Sequence, residues 1–281
     1  EDGSMSQDSG THLVSRNGVD HDVVLVDDVH HFHCIRHFDC IRHFDCIRHF
    51  DCFRALPVDR RLLVHVYDAL MSEAANLSTI NDEARDLLDD AIAMRRRLHE
   101  WPELGNHLPR TRDEVLSSLE GLPLGITLHE TTSGIVASLE GSRPGPTILL
   151  RGDMDALPMP EDTGVDFSSR VDNVMHACGH DTHTAMLAGA ARLLNGRRSE
   201  LHGRVLFMFQ PGEEGHDGAN HMLDEGLLDV GPLSDGSPSA VTGAFAIHTT
   251  SSLPTGFLST RGGPIMASSD TLSITVTGRG G

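Results

Sequence analysis

Between Met175 and Met186 the text reads MHACGHDTHTAM, which gathers His176, Cys178, His180, Asp181 and His183. Cys178 and His180 flank a glycine, whose backbone freedom lets a tight loop turn a thiolate and an imidazole toward one centre. Taken alone, the spacing also suits a buried structural cysteine beside a histidine at a helix start. A second cluster, Glu213 and Glu214, stands between Gly212 and Gly215. Neighbouring carboxylates in a shaped loop can point differently, one toward a metal and the other toward a water; a solvated surface pair is the alternative. His248 closes the apolar run AFAI, as a further ligand or as a strand-end surface histidine. Asp153 and Asp155 alternate at the end of another apolar run, where Asp155 could hydrogen-bond a ligating imidazole and set its tautomer, or simply cap or solvate a loop. His176, Asp181 and His183 are expected behind the ligands or at the helix start, not as ligands themselves.

These clusters need elements to position them. NDEARDLLDDAIAMRRRLHE reads as a helix with Ala84, Leu88, Ala91, Ile92 and Leu98 on its inner face, acids early, arginines late, and Pro102 beyond its end. TRDEVLSSLEG reads as a second helix opened by a capping box, Thr111 with Glu114. GITLHETTSGIVASLEG suggests a strand pair. PTILLRGD, GRVLFMFQ and AVTGAFAIH read as further strands, alternating with helices near 181–195 and 221–228. Such alternation predicts an α/β fold, a mostly parallel sheet with helices on both faces and its site at the carboxyl ends of the strands. RGDMD, QPGEEG and AIHTT each follow a strand and HACGHD precedes a helix, so all four should meet at one sheet edge.

Composition narrows the function. The 281 residues carry a formal charge of −19, and all 22 basic residues are arginine. A surface for nucleic acid or anionic membrane needs clustered positive charge, so neither partner is expected and a small molecule is. Four of the five cysteines, Cys34, Cys40, Cys46 and Cys52, belong to a six-residue unit repeated four times. That leaves no disulfide framework, which points to a reducing, cytoplasmic setting. The repeat matches neither the helical nor the strand period. Residues 1–80 are therefore expected to be a poorly ordered leader, with a Cys/His metal-binding tract as the other reading of the repeat. No signal peptide and no run long enough to span a bilayer is seen.

From Met94 onward the ordered blocks RRRLHEWPELG, LLRGDMDALPMPE, MHACGHDTHTAMLAGAARLL, GRVLFMFQPGEEGHDGANHMLDEGLLD, AFAIHTT and GGPIMASSDTLSITVTGRGG resemble metallopeptidase family 20. Its members include aminoacylases, hippurate hydrolases and hydrolases of auxin-amino acid conjugates. The resemblance implies a zinc-peptidase-like fold with a catalytic part over 81–266 and the first strand of an inserted α+β lid domain over 267–281. It implies two divalent metal ions, zinc, manganese or cobalt, held by Cys178, His180, Glu214 and His248. Glu213 would be the general base and Asp155 the aspartate beside the metals. The implied reaction is hydrolysis of the amide bond of an N-acyl amino acid, with a dipeptidase or carboxypeptidase on the same scaffold, or a non-catalytic metal-binding fragment, as alternatives. Family members run on past the point matching Gly281, through a lid histidine and a final metal-binding histidine. The resemblance thus implies a C-terminally truncated chain, inactive in this form if those residues are indispensable, and a homodimer through the lid in a full-length form. GNHLPRT lacks the acidic residues common at that point in the family, and HTT departs from its usual aromatic or proline-bearing text, which bears on substrate preference.

Overall fold

The structure is a computed structural model and describes residues 77–266, 273–275 and 277–278. The hexapeptide repeat and most of the expected lid strand lie outside the described residues. Residues 77–86 are helical, so this helix starts ahead of the expected boundary at 81 and breaks at a turn on Leu87. Helix α1, Leu88–Glu100, follows, with Asp89 and Asp90 in its first turn and Arg97 and His99 in its last. Its inner face is rotated from the expected one. Met94 and Leu98 are buried, whereas Leu88 and Ile92 are 52% and 40% exposed. The expected residues span a wider arc than one helix contact can cover, and the contact falls on the Ala91–Leu98 side.

Helix α2, Pro109–Leu119, starts at a proline, whose preset φ and missing N–H suit a first helical position. Thr111 therefore lies inside the helix and the expected capping box does not form. Glu103 caps instead, accepting the Thr111 N–H at 2.8 Å and its hydroxyl at 3.0 Å.

Among the described residues five strands form one sheet: β1 Gly125–Leu128, β2 Ile135–Glu140, β3 Arg143–Asp153, β4 His202–Gln210 and β5 Val241–Ala246, in the order β1-β2-β4-β3-β5. β2 pairs antiparallel with both β1 and β4, while β3 pairs parallel with both β4 and β5. Only β2 therefore runs against the other four, and the sheet is mostly parallel. Helix α3, His180–Gly196, makes the crossover from β3 to β4. It comes so close to the sheet that a Cβ on Gly152 would stand 3.0 Å from the His183 carbonyl oxygen.

The strands' period of two sorts the core. Phe207 and Phe209 of β4, with Ile135, Ala137 and Leu139 of β2, face α1, α2 and α3. Leu206, Met208 and Val136 face the other way, onto Met222 and Leu227. Met222 belongs to the short helix α4, Gly218–Asp224, which is smaller than the sequence suggested and turns out of helix at Glu225. Among the described residues, α1, α2 and α3 thus cover one face and the short α4 the other. The parallel neighbours β3, β4 and β5 all end at one edge: Asp153 pairs with Gln210, and Arg151 with Ala246. Among the described residues no helix is long and apolar enough to cross a membrane.

Candidate metal centre

Each cluster reaches that edge by a different route. His180 opens α3, and Gly179 before it takes φ +88°, which lets the chain turn sharply from Cys178 into the helix. A Cβ on Gly179 would collide with Thr249 Oγ1, so the glycine also admits the loop that carries His248. Cys178 Sγ lies 3.4 Å from His248 Nε2. Cys178, His180 and His248 each turn one donor atom into a group no wider than 4.8 Å, and so do His180, Glu213 and Glu214. His180 is common to both groups, and its Nε2 lies 3.9 Å from a carboxylate oxygen of Glu213 and of Glu214.

The backbone sets both imidazoles for this task. His180 Nδ1 donates to the Asp155 carbonyl oxygen at 2.8 Å, and His248 Nδ1 to that of Thr249 at 2.6 Å. In each ring Nε2 is then the lone-pair nitrogen, and both lone pairs face the cluster. The Asp155 carboxylate, 3.4 Å from His180 Nδ1, has different partners. One oxygen accepts the Glu213 N–H and the other the Glu214 N–H, both at 3.0 Å, so this buried side chain anchors the glutamate loop.

The donor set fits a cation. His180 Nε2 and Asp153 Oδ2 are buried without a hydrogen-bond partner and lie 3.6 Å apart. Arg151 Nη1 approaches the same Asp153 oxygen to 2.7 Å as an ion pair, without hydrogen-bond alignment. Burial, Glu214 and then Asp153 and Glu213 push the Cys178 thiol up to about 12. Burial opposes protonation of His180, but Asp155, Asp153 and Glu213 together raise its pKa. Arg151 apart, acceptors and negative charge converge here, and carboxylates gathered about buried acceptor nitrogens call for a further cation. A thiolate, two imidazoles and a carboxylate match the preferences of zinc-like divalent ions.

Behind this cluster lie the residues expected there. Asp181 is fully buried; its Oδ2 takes His99 Nδ1 and Arg95 Nε, both at 2.7 Å. His176 is 4% exposed, both its ring nitrogens lack a partner, and burial lowers its pKa to about 4. His183 joins Asp153 to Thr249. Burial raises the Asp153 pKa, but the His183 hydrogen bond and the charges of His180 and Arg151 outweigh it and hold the group at about 2. Two contributors had no signal in the sequence. Asn106 donates to the His216 carbonyl at 2.7 Å, and its side chain closes over Gly212, holding the glutamate loop from the far side. Glu225 accepts the N–H of Glu130 and of Thr131, tying the end of α4 to the β1–β2 turn.

Residues 149–267 match peptidase family M20/M25/M40. N-acetylcysteine deacetylase of Bacillus subtilis is 42% identical over 191 residues, 68% of this chain and 48% of that protein. Thermostable carboxypeptidase 1 of Saccharolobus solfataricus is 41% identical over 207 residues, 72% of this chain and 50% of the relative. An IAA-amino acid hydrolase of Arabidopsis thaliana is 38% identical over 196 residues, 70% of this chain and 42% of its own length. The chain spans about half the length of the curated relatives it matches. Among solved structures, a dinuclear metal-binding peptidase of the M20 family from Bacillus subtilis superposes with a TM-score of 0.56 at 40% identity, over 61% of this chain and 45% of its own. The matched residues 149–267 take in the end of β3, α3, β4, β5 and the loops that carry the thiol, imidazole and carboxylate donors, and with this match the chain belongs to peptidase family M20/M25/M40.

Proposed function

We propose that this chain carries the metal-binding and proton-transfer half of an amidohydrolase that cleaves N-acyl amino acids. The observation that carries the reading is the convergence of Cys178, His180, Glu214 and His248 beside Glu213, on a loop held by Asp155. Cys178, His180, Glu214 and His248 would hold two divalent ions, zinc, manganese or cobalt, which when bound supply Lewis acidity to an amide carbonyl and acidify a water. Glu213 lies at the rim of this group with its side chain 40% exposed. There it can take a proton from the attacking water and return it to the departing amine nitrogen. Asp155 orients both glutamates from behind, and Gly212 and Gly215, both at positive φ, shape the turn.

The names of the relatives support amide substrates of low molecular weight, and one of them, the carboxypeptidase, favours a second reading in which the same centre cleaves a peptide. The reducing cytoplasm suits a free thiol at Cys178. Residues 81–266, with the helix that begins at 77, are read as the catalytic part, the residues before it as a leader and 267–281 as the opening of a lid through which a longer form dimerises.

The deciding experiment measures metal content and hydrolysis of N-acetyl and N-benzoyl amino acids, alongside dipeptides, for the purified chain and its Glu213→Gln variant with zinc, manganese or cobalt. Glu213→Gln is expected to keep its metal and to lose about 10²–10⁴-fold in turnover. Cleavage of dipeptides alone would select the peptidase reading. A chain that binds none of the three metals would sink both.

A further inference from the structure

Asp153, His180 and His183 form a third group with the spacing of a cation site. Hydrogen bonding assigns His183 another task. The Thr249 N–H donates to His183 Nε2 at 2.9 Å, so Nε2 is the lone-pair nitrogen. Nδ1 must then carry the proton, and it donates to Asp153 Oδ1 at 2.6 Å. The Thr249 hydroxyl approaches the same Nε2 at 3.1 Å. Both ring nitrogens are committed, and His183 has no lone pair to offer a metal.

The next bond in the chain gives this arrangement its meaning. The carbonyl of Thr249 accepts from His248 Nδ1, so the residue pinned by His183 is the one that fixes the His248 tautomer. β5 stops at Ala246, and His248 and Thr249 lie beyond the last ladder pairing. His183, by contrast, is buried on α3, and its ring packs edge-on to that of His248 with centroids 4.6 Å apart. We infer that His183 is a positioning residue that, through the main chain of Thr249, holds His248 at the metal centre.

The inference rests on the proposed function only in taking His248 as a ligand. Cobalt(II) titration of the folded chain, followed by thiolate-to-cobalt absorption, separates the two ideas. Removing a group that orients a ligand weakens metal binding by about 10–100-fold, and His183→Leu is expected to do so. His183→Gln keeps a carboxamide oxygen that can accept the Thr249 N–H and should recover part of the loss. Unchanged cobalt affinity in the leucine variant would overturn the inference. Equal weakness in both variants would too, since bulk and not the Thr249 bond would then matter. Failure of the wild-type chain to bind cobalt would instead overturn the ligand assignment.

Nitrogen-15 correlation spectra of the wild-type histidines with zinc give a second test that needs no variant to fold. His183 should show a protonated Nδ1 and an unprotonated, hydrogen-bonded Nε2, with neither nitrogen shifted by metal. A proton on Nε2, or a zinc-shifted nitrogen, would refute the positioning role.

Discussion

The two flanks of the metal centre are built to different standards. On the β3–α3 flank His180, Asp153 and Asp155 are fully buried, under a helix that comes within contact distance of the sheet at Gly152. On the β5 flank His248 is only half-buried and follows a segment, the end of β5 and the residue after it, whose Phe245 and Ile247 are 62% and 61% exposed. Packing secures the first flank, whereas the second depends on a few hydrogen bonds. Metal affinity should therefore be vulnerable from the β5 side and global stability from the β3–α3 side.

That contrast can be broken by choosing where to cut. Phe207 is fully buried between β4 and the long helices, so Phe207→Ala should cost about 3–5 kcal/mol in urea unfolding. Asp155→Asn keeps one acceptor oxygen and turns an NH₂ toward the other glutamate N–H. It should lose about 1–3 kcal/mol, read by the same unfolding assay, with weaker metal binding read by cobalt titration.

A pH experiment probes a tether remote from both flanks. Bonds from Thr131 and from the N–H groups of Glu130 and Thr131 hold Glu225 at about 2, below its ordinary value of 4.5. A carboxylate depressed on folding contributes stability that is complete above its unfolded pKa and is lost as pH falls through its folded one. Between pH 5 and pH 2 the urea midpoint of wild type should therefore fall more steeply than that of Glu225→Gln; parallel curves would remove the tether from the account. The smallest effect belongs to the exposed strand. Phe245→Ala should change stability by no more than about 0.5 kcal/mol. A large loss there would mean that β5 is as firmly built as β3.

Periodic and local features are legible in the sequence. Leu206, Phe207, Met208 and Phe209 alternate between two cores because the strand period is two, and α3 falls where the apolar pattern places a helix. The meeting of four polar clusters followed from strand ends in a parallel sheet. Features that depend on a distant partner stayed hidden. Nothing near Asn106 says that it will reach a loop 110 positions away, and nothing in TRDE says that Glu103 will displace Thr111 as the cap. The inner face of α1 stays hidden for a related reason: it is chosen by the helix it meets, and α3 meets the Met94–Leu98 side. The two readings of Asp155, partner of a ligating imidazole or loop cap, are divided between its parts: the carbonyl oxygen takes His180 Nδ1, and the carboxylate, 3.4 Å from the same nitrogen, caps two loop N–H groups.

That last division of labour has a consequence for inheritance and for engineering. A carbonyl oxygen belongs to every amino acid, so no codon change at position 155 deletes the acceptor that His180 uses. The orientation of that imidazole is written in chain path and is shielded from single-residue drift, while the attachment of the glutamate loop is written in one carboxylate and is open to it. A lineage losing the aspartate would be expected to keep a histidine correctly aimed at a centre whose acid–base partner has come loose.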